Sequence, residues 1–293
     1  MKLLSLLLFM GSFLAGNAQT PVVRGKVLNA KGEGIPYATL LSMTDAKVGA
    51  IANEAGAFAL TVGTLAVGQK MIVSALGYAD TTFTLKKDAP AQPLIIRLRE
   101  RPVVLPEITV RKSSGKTFLF GNPQGEMLKH SPTDYYFVKA SQSGAGVGTV
   151  FSTQKRKGTI ETISVFISES RPSNYVLTVF SLDEIGTDYK LYPKHQLIPL
   201  ISRPISFTAS KTGWIDIENL AIMVPAKYLA VLVTKVNEAS DAGSTLPQTS
   251  YEYRIGRQFS KGGAARHIYL FGDRYAVLAK NDDISAIYVT CRE

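Results

Sequence analysis

Cysteine, tryptophan and histidine are scarce in this chain of 293 residues, which holds one Cys, one Trp and three His. A single thiol, Cys291, excludes an internal disulfide as the source of stability. It lies in Ile287-Tyr288-Val289-Thr290-Cys291, a strand-like run in which a small buried or edge hydrophobe is expected. The histidines, His130, His195 and His267, are far apart and make no His-x-x-Glu set of the kind a zinc hydrolase uses, so each is expected at the surface or in a loop. Long segments of period-3.6 hydrophobicity are missing as well, which argues against a helical fold. The longest apolar run, Leu3 to Leu14, covers about a dozen residues and falls short of the roughly 20 that a membrane-spanning helix requires.

That run has another reading. Met1-Lys2 supplies a positive start, and Gly16 and Ala18 supply a small-x-small end before Gln19, the parts of a secretory signal peptide over residues 1–18. The mature chain is then expected outside the cytoplasm, with no transmembrane span. No cysteine follows the signal to carry a lipid anchor. Lys and Arg number 33 against 23 Asp and Glu, for a net charge of +10. The charge is spread, with its densest cluster at Lys155-Arg156-Lys157, read as a hairpin tip. Export makes nucleic acid an unsuitable partner, whereas anionic envelope surfaces or acidic glycans would attract such a chain.

About 275 residues remain after the signal, enough for two domains. From residue 19 to 100 the pattern is short and turn-bounded: Val23–Val27, Tyr37–Leu41, Ala57–Val62, Met71–Ala75, Thr81–Leu85 and Leu94–Leu98. Six or seven such strands with no helix between them predict an antiparallel sandwich. Ala30 to Gly34 and Asn53 to Gly56 carry turn chemistry, with Asn53 placed to bond the backbone two residues on and Gly56 to take a left-handed conformation. Residues 101–116 form a connector in which Pro102 and Pro106 disfavour helix and 112–116 read as a hinge.

From 117 to 293 a second β-rich domain is expected. Its clearest strands are Thr159–Ile167, Tyr175–Leu182, Ile205–Thr208, Trp214–Ile217, Tyr228–Val236, Tyr275–Leu278 and Ile284–Val289. Tyr228–Val233 is apolar on both faces, as a central strand would be. Ser240–Gln248 reads as a loop. A sandwich resembling a jelly roll fits better than an outer-membrane barrel, because the strands vary in length and lack aromatic girdles. The fold class is therefore all-β.

Motifs for catalysis are few. No Gly-x-Ser-x-Gly stands at a strand-to-helix turn. Ser141 to Gly148 is glycine-rich, but no Lys-Ser/Thr follows, so a loop or strand start is expected in place of a phosphate cradle. The carboxylate pairs Asp183-Glu184 and Asp282-Asp283 fall at turns. No catalytic residue, cofactor or metal is assigned. One ligand-binding candidate remains: Trp214 and Asp216 share one face of their strand while Ile215 and Ile217 share the other. With the isoleucines inward, the lone tryptophan would sit on the outer face or rim, suited to a sugar platform with Tyr135-Tyr136-Phe137 and Tyr251-Glu252-Tyr253.

The first domain resembles the carboxypeptidase-regulatory-like family of gram-negative envelope proteins, which also forms N-terminal extensions of TonB-dependent outer-membrane receptors. The residues that carry the resemblance are Gly25-Lys26-Val27, Gly34 to Thr39, Gly49 to Phe58, Val73 to Tyr78, Leu94 to Leu98 and Leu105 to Val110. It implies a seven-stranded, transthyretin-like sandwich with Phe58 and Tyr78 in its core and Gly25, Gly56 and Gly77 at bulges or turns. It further implies an accessory domain without peptidase activity. The resulting expectation is a non-catalytic exported protein, in the periplasm or on the surface side of the outer membrane, whose partner is an envelope protein or outer-membrane complex. Carbohydrate binding through Trp214 and nearby tyrosines is the alternative.

Overall fold

The computed structural model describes residues 22–44, 48–61, 68–86, 93–101, 115–121, 136–139, 146–169, 172–185, 191–236, 252–255, 257–259, 265–271, 274–278 and 283–293. The signal segment, connector residues 102–114, His130, Tyr135, Tyr251, Asp282 and the Ser240–Gln248 loop lie outside the described residues, as do the side chains of Tyr136, Phe137 and Tyr253.

The chain is all-β. Its first strands are β1 (Val22–Leu28), β2 (Thr39–Ser42), β3 (Gly49–Ile51), β4 (Ala57–Thr61), β5 (Lys70–Ser74), β6 (Thr81–Thr84) and β7 (Leu94–Arg97). They form two sheets, ordered β4-β1-β7 and β3-β2-β5-β6, and β7 runs parallel to β1, which departs from a wholly antiparallel pattern. Alternation along β1 decides what faces inward: Val23 and Val27 are buried while Arg24 and Lys26 are exposed. Between the sheets lie Val27, Leu40, Phe58, Leu60, Met71 and Val73, a single core drawn from both.

Two turns fix this arrangement. Asn53 Oδ1 accepts from the backbone N–H of Ala55 and of Ala57, both at 3.0 Å, and Gly56 takes φ +75°. Asn29 does the same at the other turn, accepting from Lys31 N at 3.0 Å and Glu33 N at 2.9 Å. Gly25 sits elsewhere than at a bulge or turn. It lies mid-strand opposite Phe58, where a Cβ would come within 2.1 Å of Leu94 O and 2.6 Å of the Phe58 ring. The glycine makes room for the aromatic that covers it.

The second set of strands begins with β8 (Thr117–Phe120), β9 (Tyr136–Lys139), β10 (Gly146–Ser152), β11 (Thr159–Ile167) and β12 (Ser173–Leu182). After it come β13 (Leu191–Pro193), β14 (Ile198–Pro199), β15 (Ile205–Ala209), β16 (Gly213–Ile217), β17 (Ile222–Met223) and β18 (Tyr228–Val236). The chain closes with β19 (Glu252–Ile255), β20 (Arg257–Phe259), β21 (Ala265–Phe271), β22 (Arg274–Val277), β23 (Asp283–Ser285) and β24 (Ile287–Arg292). The larger sheet runs β13-β22-β21-β10-β18-β12-β14 with β15 also on β12, and the facing sheet runs β8-β24-β11-β19-β9 with β16 and β17 also on β11.

Two sequence expectations change here and one, the strand start near Gly146, is sharpened. The run Ile284–Val289 is two strands in different sheets, parted at Ala286. Gly146 and Gly148 belong to β10, a buried strand, and a Cβ on Gly148 would meet Val231 O at 1.8 Å. Glycine is required there because β18 comes that close. Lys155 to Lys157 join β10 to β11, which lie in different sheets, so the turn is a crossing between layers and no hairpin tip. A bulge interrupts β11, where the pairing with β24 shifts between Ile160 and Thr162.

Strand β18 is buried on both faces. Val231 and Val233 enter the core between the two sheets, whereas Ala230 and Leu232 enter a second core behind the larger sheet. That second core is covered by Leu197 and Tyr192 and reached by Leu76 of the first unit. A third, smaller cluster joins Ile51 and Tyr37 of the first unit to Val176 and Val236 of the second. The two units therefore meet over the back of the larger sheet.

Candidate functional site

Where the units meet they leave a cavity of about 350 Å³. Its floor is the back of the larger sheet, where alternate β12 residues Val176, Thr178 and Phe180 point the same way. One wall is the crossing segment from Lys194 to Pro199, which includes a single 3-10 turn at Lys194–Gln196. The opposite wall comes from the first unit through Tyr37, Ser74, Leu76 and Tyr78.

Local backbone chemistry places those side chains. Gly77 takes φ +83° in a turn closed by Tyr78 N to Ala75 O at 3.2 Å. The chain leaving β7 runs beside that turn, with Ala79 N bonded to Arg99 O at 2.9 Å and Arg101 N to Gly77 O at 2.8 Å. Tyr78 and Arg101 are thereby fixed on one rim. Tyr37 is the unusual residue. It follows Pro36 and adopts φ 56°, a left-handed conformation that bulky residues rarely take and that costs about 1–3 kcal/mol. Its ring packs with Ile51 against Val176 and Val236, so the junction between units holds the strained backbone in place.

The polar groups are unevenly charged. Lys194 Nζ donates to Ser74 Oγ at 2.5 Å, a bond that crosses from the second unit to the first. Arg101 and His195 are exposed at the mouth, opposed by one carboxylate, Asp80. Little in the sequence warned of this site. Tyr37 and Tyr78 stood in segments read as structural, and Lys194 had no motif around it.

The predicted residues Trp214 and Asp216 lie on the outer face of the smaller sheet, with Ile217 buried inside and Ile215 packed against the core. Trp214 is half-buried, meeting Phe166 edge-on at 5.6 Å and Tyr288 at 5.1 Å between ring centroids. Asp216 is exposed and accepts a hydrogen bond from Ser164 Oγ at 2.6 Å. The aromatic neighbours are thus Phe166 and Tyr288, brought together by β11 and β24.

Other reactive groups are sealed. His267 is fully buried on β21, against the expectation of a surface histidine, with Nδ1 3.2 Å from Ser285 Oγ. It pairs with Thr149 of β10, whose hydroxyl donates to Ser285 O at 3.0 Å. His195 is exposed, as expected. Cys291 is buried in the inter-sheet core, and burial, then the charge of Glu161, pushes its thiol from 9.0 to about 12. It stays protonated and poorly nucleophilic at neutral pH. Glu169 bridges Lys235 Nζ at 2.6 Å and accepts from Tyr175 Oη, tying β12 and β18 to the end of β11. Among the described residues no group of three or more His, Cys, Asp or Glu converges as a metal-ligand set, and no helix is long and apolar enough to cross a membrane.

No family model matches the chain, and no curated protein matches it significantly.

Proposed function

We propose that this is a non-catalytic exported protein of the cell envelope that works as an interaction module, with the cleft between its units as the recognition site. The observation that carries the reading is the cleft itself: two units contribute opposite walls, tied by Lys194 and Ser74 and by the strained Tyr37. Recognition sites favour such junctions, where a concave apolar floor meets a few fixed polar groups. The residue-level resemblance of the first domain to the regulatory-like family supports an accessory, assembly-type role. The signal-like segment supports export to the periplasm or the outer-membrane surface. A photocrosslinker at Asp80, on the cleft mouth, is expected to capture an envelope protein in cells. Absence of any adduct from that position would sink the reading.

Carbohydrate binding is a second reading, favoured by one arrangement. Half-exposed Trp214 stands with Tyr288 beside the exposed Asp216, an aromatic surface flanked by a carboxylate acceptor. A glycan array in which Trp214→Ala binds as wild type does would remove it.

A further inference from the structure

We propose that the cleft takes an apolar group ending in a carboxylate, with Arg101 and Lys194 receiving the charge; this deepens the recognition reading above and rests on it. Size sets the first limit. About 350 Å³ is near the lower end of ligand pockets, room for one large side chain or a short acyl or aryl acid. The lining sets the second. Ile51, Val176, Phe180 and Leu197 are all buried and the hydroxyls of Thr178 and Thr234 are neutral, so the floor of the cavity offers no opposite charge to a charged head. The head must therefore stay at the polar side, toward Ser74 and the mouth.

Charge decides its sign. Lys194 is held at the wall by its bond to Ser74, and Arg101 stands exposed on the rim with no carboxylate partner among the described residues. The guanidinium fork matches a carboxylate through two parallel hydrogen bonds, whereas a cationic head would meet two fixed positive charges and only Asp80. Tyr37 and Tyr78 line the cavity and present apolar faces to the stem of the ligand. Such a group can be the C-terminal residue of a partner polypeptide or a free small acid.

Calorimetric titration of the full mature chain separates these cases. The probes are 4-phenylbutanoate and its amide, and a six-residue peptide ending in phenylalanine as the free acid and as the C-terminal amide. The acids are expected to bind about tenfold or more tightly than the amides, the loss of a charged hydrogen bond. Arg101→Gln is expected to erase that preference without changing the melting temperature. Lys194→Arg should keep binding where Lys194→Gln loses it, which separates charge from any weakening of the junction. Binding of the peptide acid alone would assign C-terminal capture, and binding of both acids a small-acid pocket. Equal binding of acid and amide, or no heat from either acid, would overturn the proposal. Should Asp80 crosslinks form in cells while neither acid binds, the interaction reading stands and this ligand class falls.

Discussion

The two units solve the same problem at different depth. In the first, the β4-β1-β7 sheet is wet on one face: β1 alternates buried valines with exposed Arg24 and Lys26, and one core fills the space between two small sheets. In the second, the larger sheet is covered on both faces, by the facing sheet in front and by the 191–199 segment and the first unit behind. A one-faced sheet tolerates change on alternate residues, whereas a two-faced sheet tolerates it almost nowhere. The second unit is therefore the less forgiving one, and it also supplies the floor of the cleft.

The comparison is tested most severely at Glu169. Its side chain is only 9% exposed and that of Lys235 19%, so Glu169→Ala leaves an ammonium stranded near the core. A loss of about 3–5 kcal/mol is expected in denaturant unfolding. Leu232→Ala, on the rear face of β18, is expected to cost about 2–5 kcal/mol, while Ile95→Ala on the first unit, half exposed at 50%, should change stability by less than about 0.5 kcal/mol. A cheap Leu232→Ala would show that the rear core is loosely packed and would erase the contrast. Asn53→Ala removes two backbone bonds from a first-unit turn and is expected to cost about 1–2 kcal/mol.

A further effect concerns pH. Native Cys291 keeps its proton between its ordinary 9.0 and about 12, where the unfolded chain has lost it. The unfolded state then binds fewer protons, so stability falls as pH rises through that window. Burial and nearby Tyr192 push Tyr275 up to about 12 as well, which adds to the trend above its ordinary 10.0. The melting temperature should drop on the alkaline side, and less steeply in Cys291→Val.

How much of this was legible in the sequence follows the same division. Period-two alternation revealed β1, β4 and β6 because one face of each is wetter than the other, whereas β5, buried from Met71 to Ser74, was legible as a short apolar run. It named β18 as central because both faces are apolar. At β10 it left a loop or a strand start open, because Gly146 and Gly148 imitate a loop although they are glycines for want of space beneath β18. It failed at 284–289, since a chain can change sheets at Ala286 without any polar residue to mark the step. Trp214 and Asp216 were placed on the correct face by alternation, but Phe166 and Tyr288 come from strands remote in sequence. The cleft was illegible for a related reason. It belongs to neither unit, and Tyr37 in its left-handed conformation carries no glycine or asparagine to announce it.

The sealed Cys291 has a practical side. A lone thiol locked between two sheets is a clock for opening, because an alkylating reagent can reach it only after the second unit parts. In an oxidising compartment the same exposure would let two opened copies join through sulfur. Appearance of such linked pairs would record how often the unit comes apart in the cell.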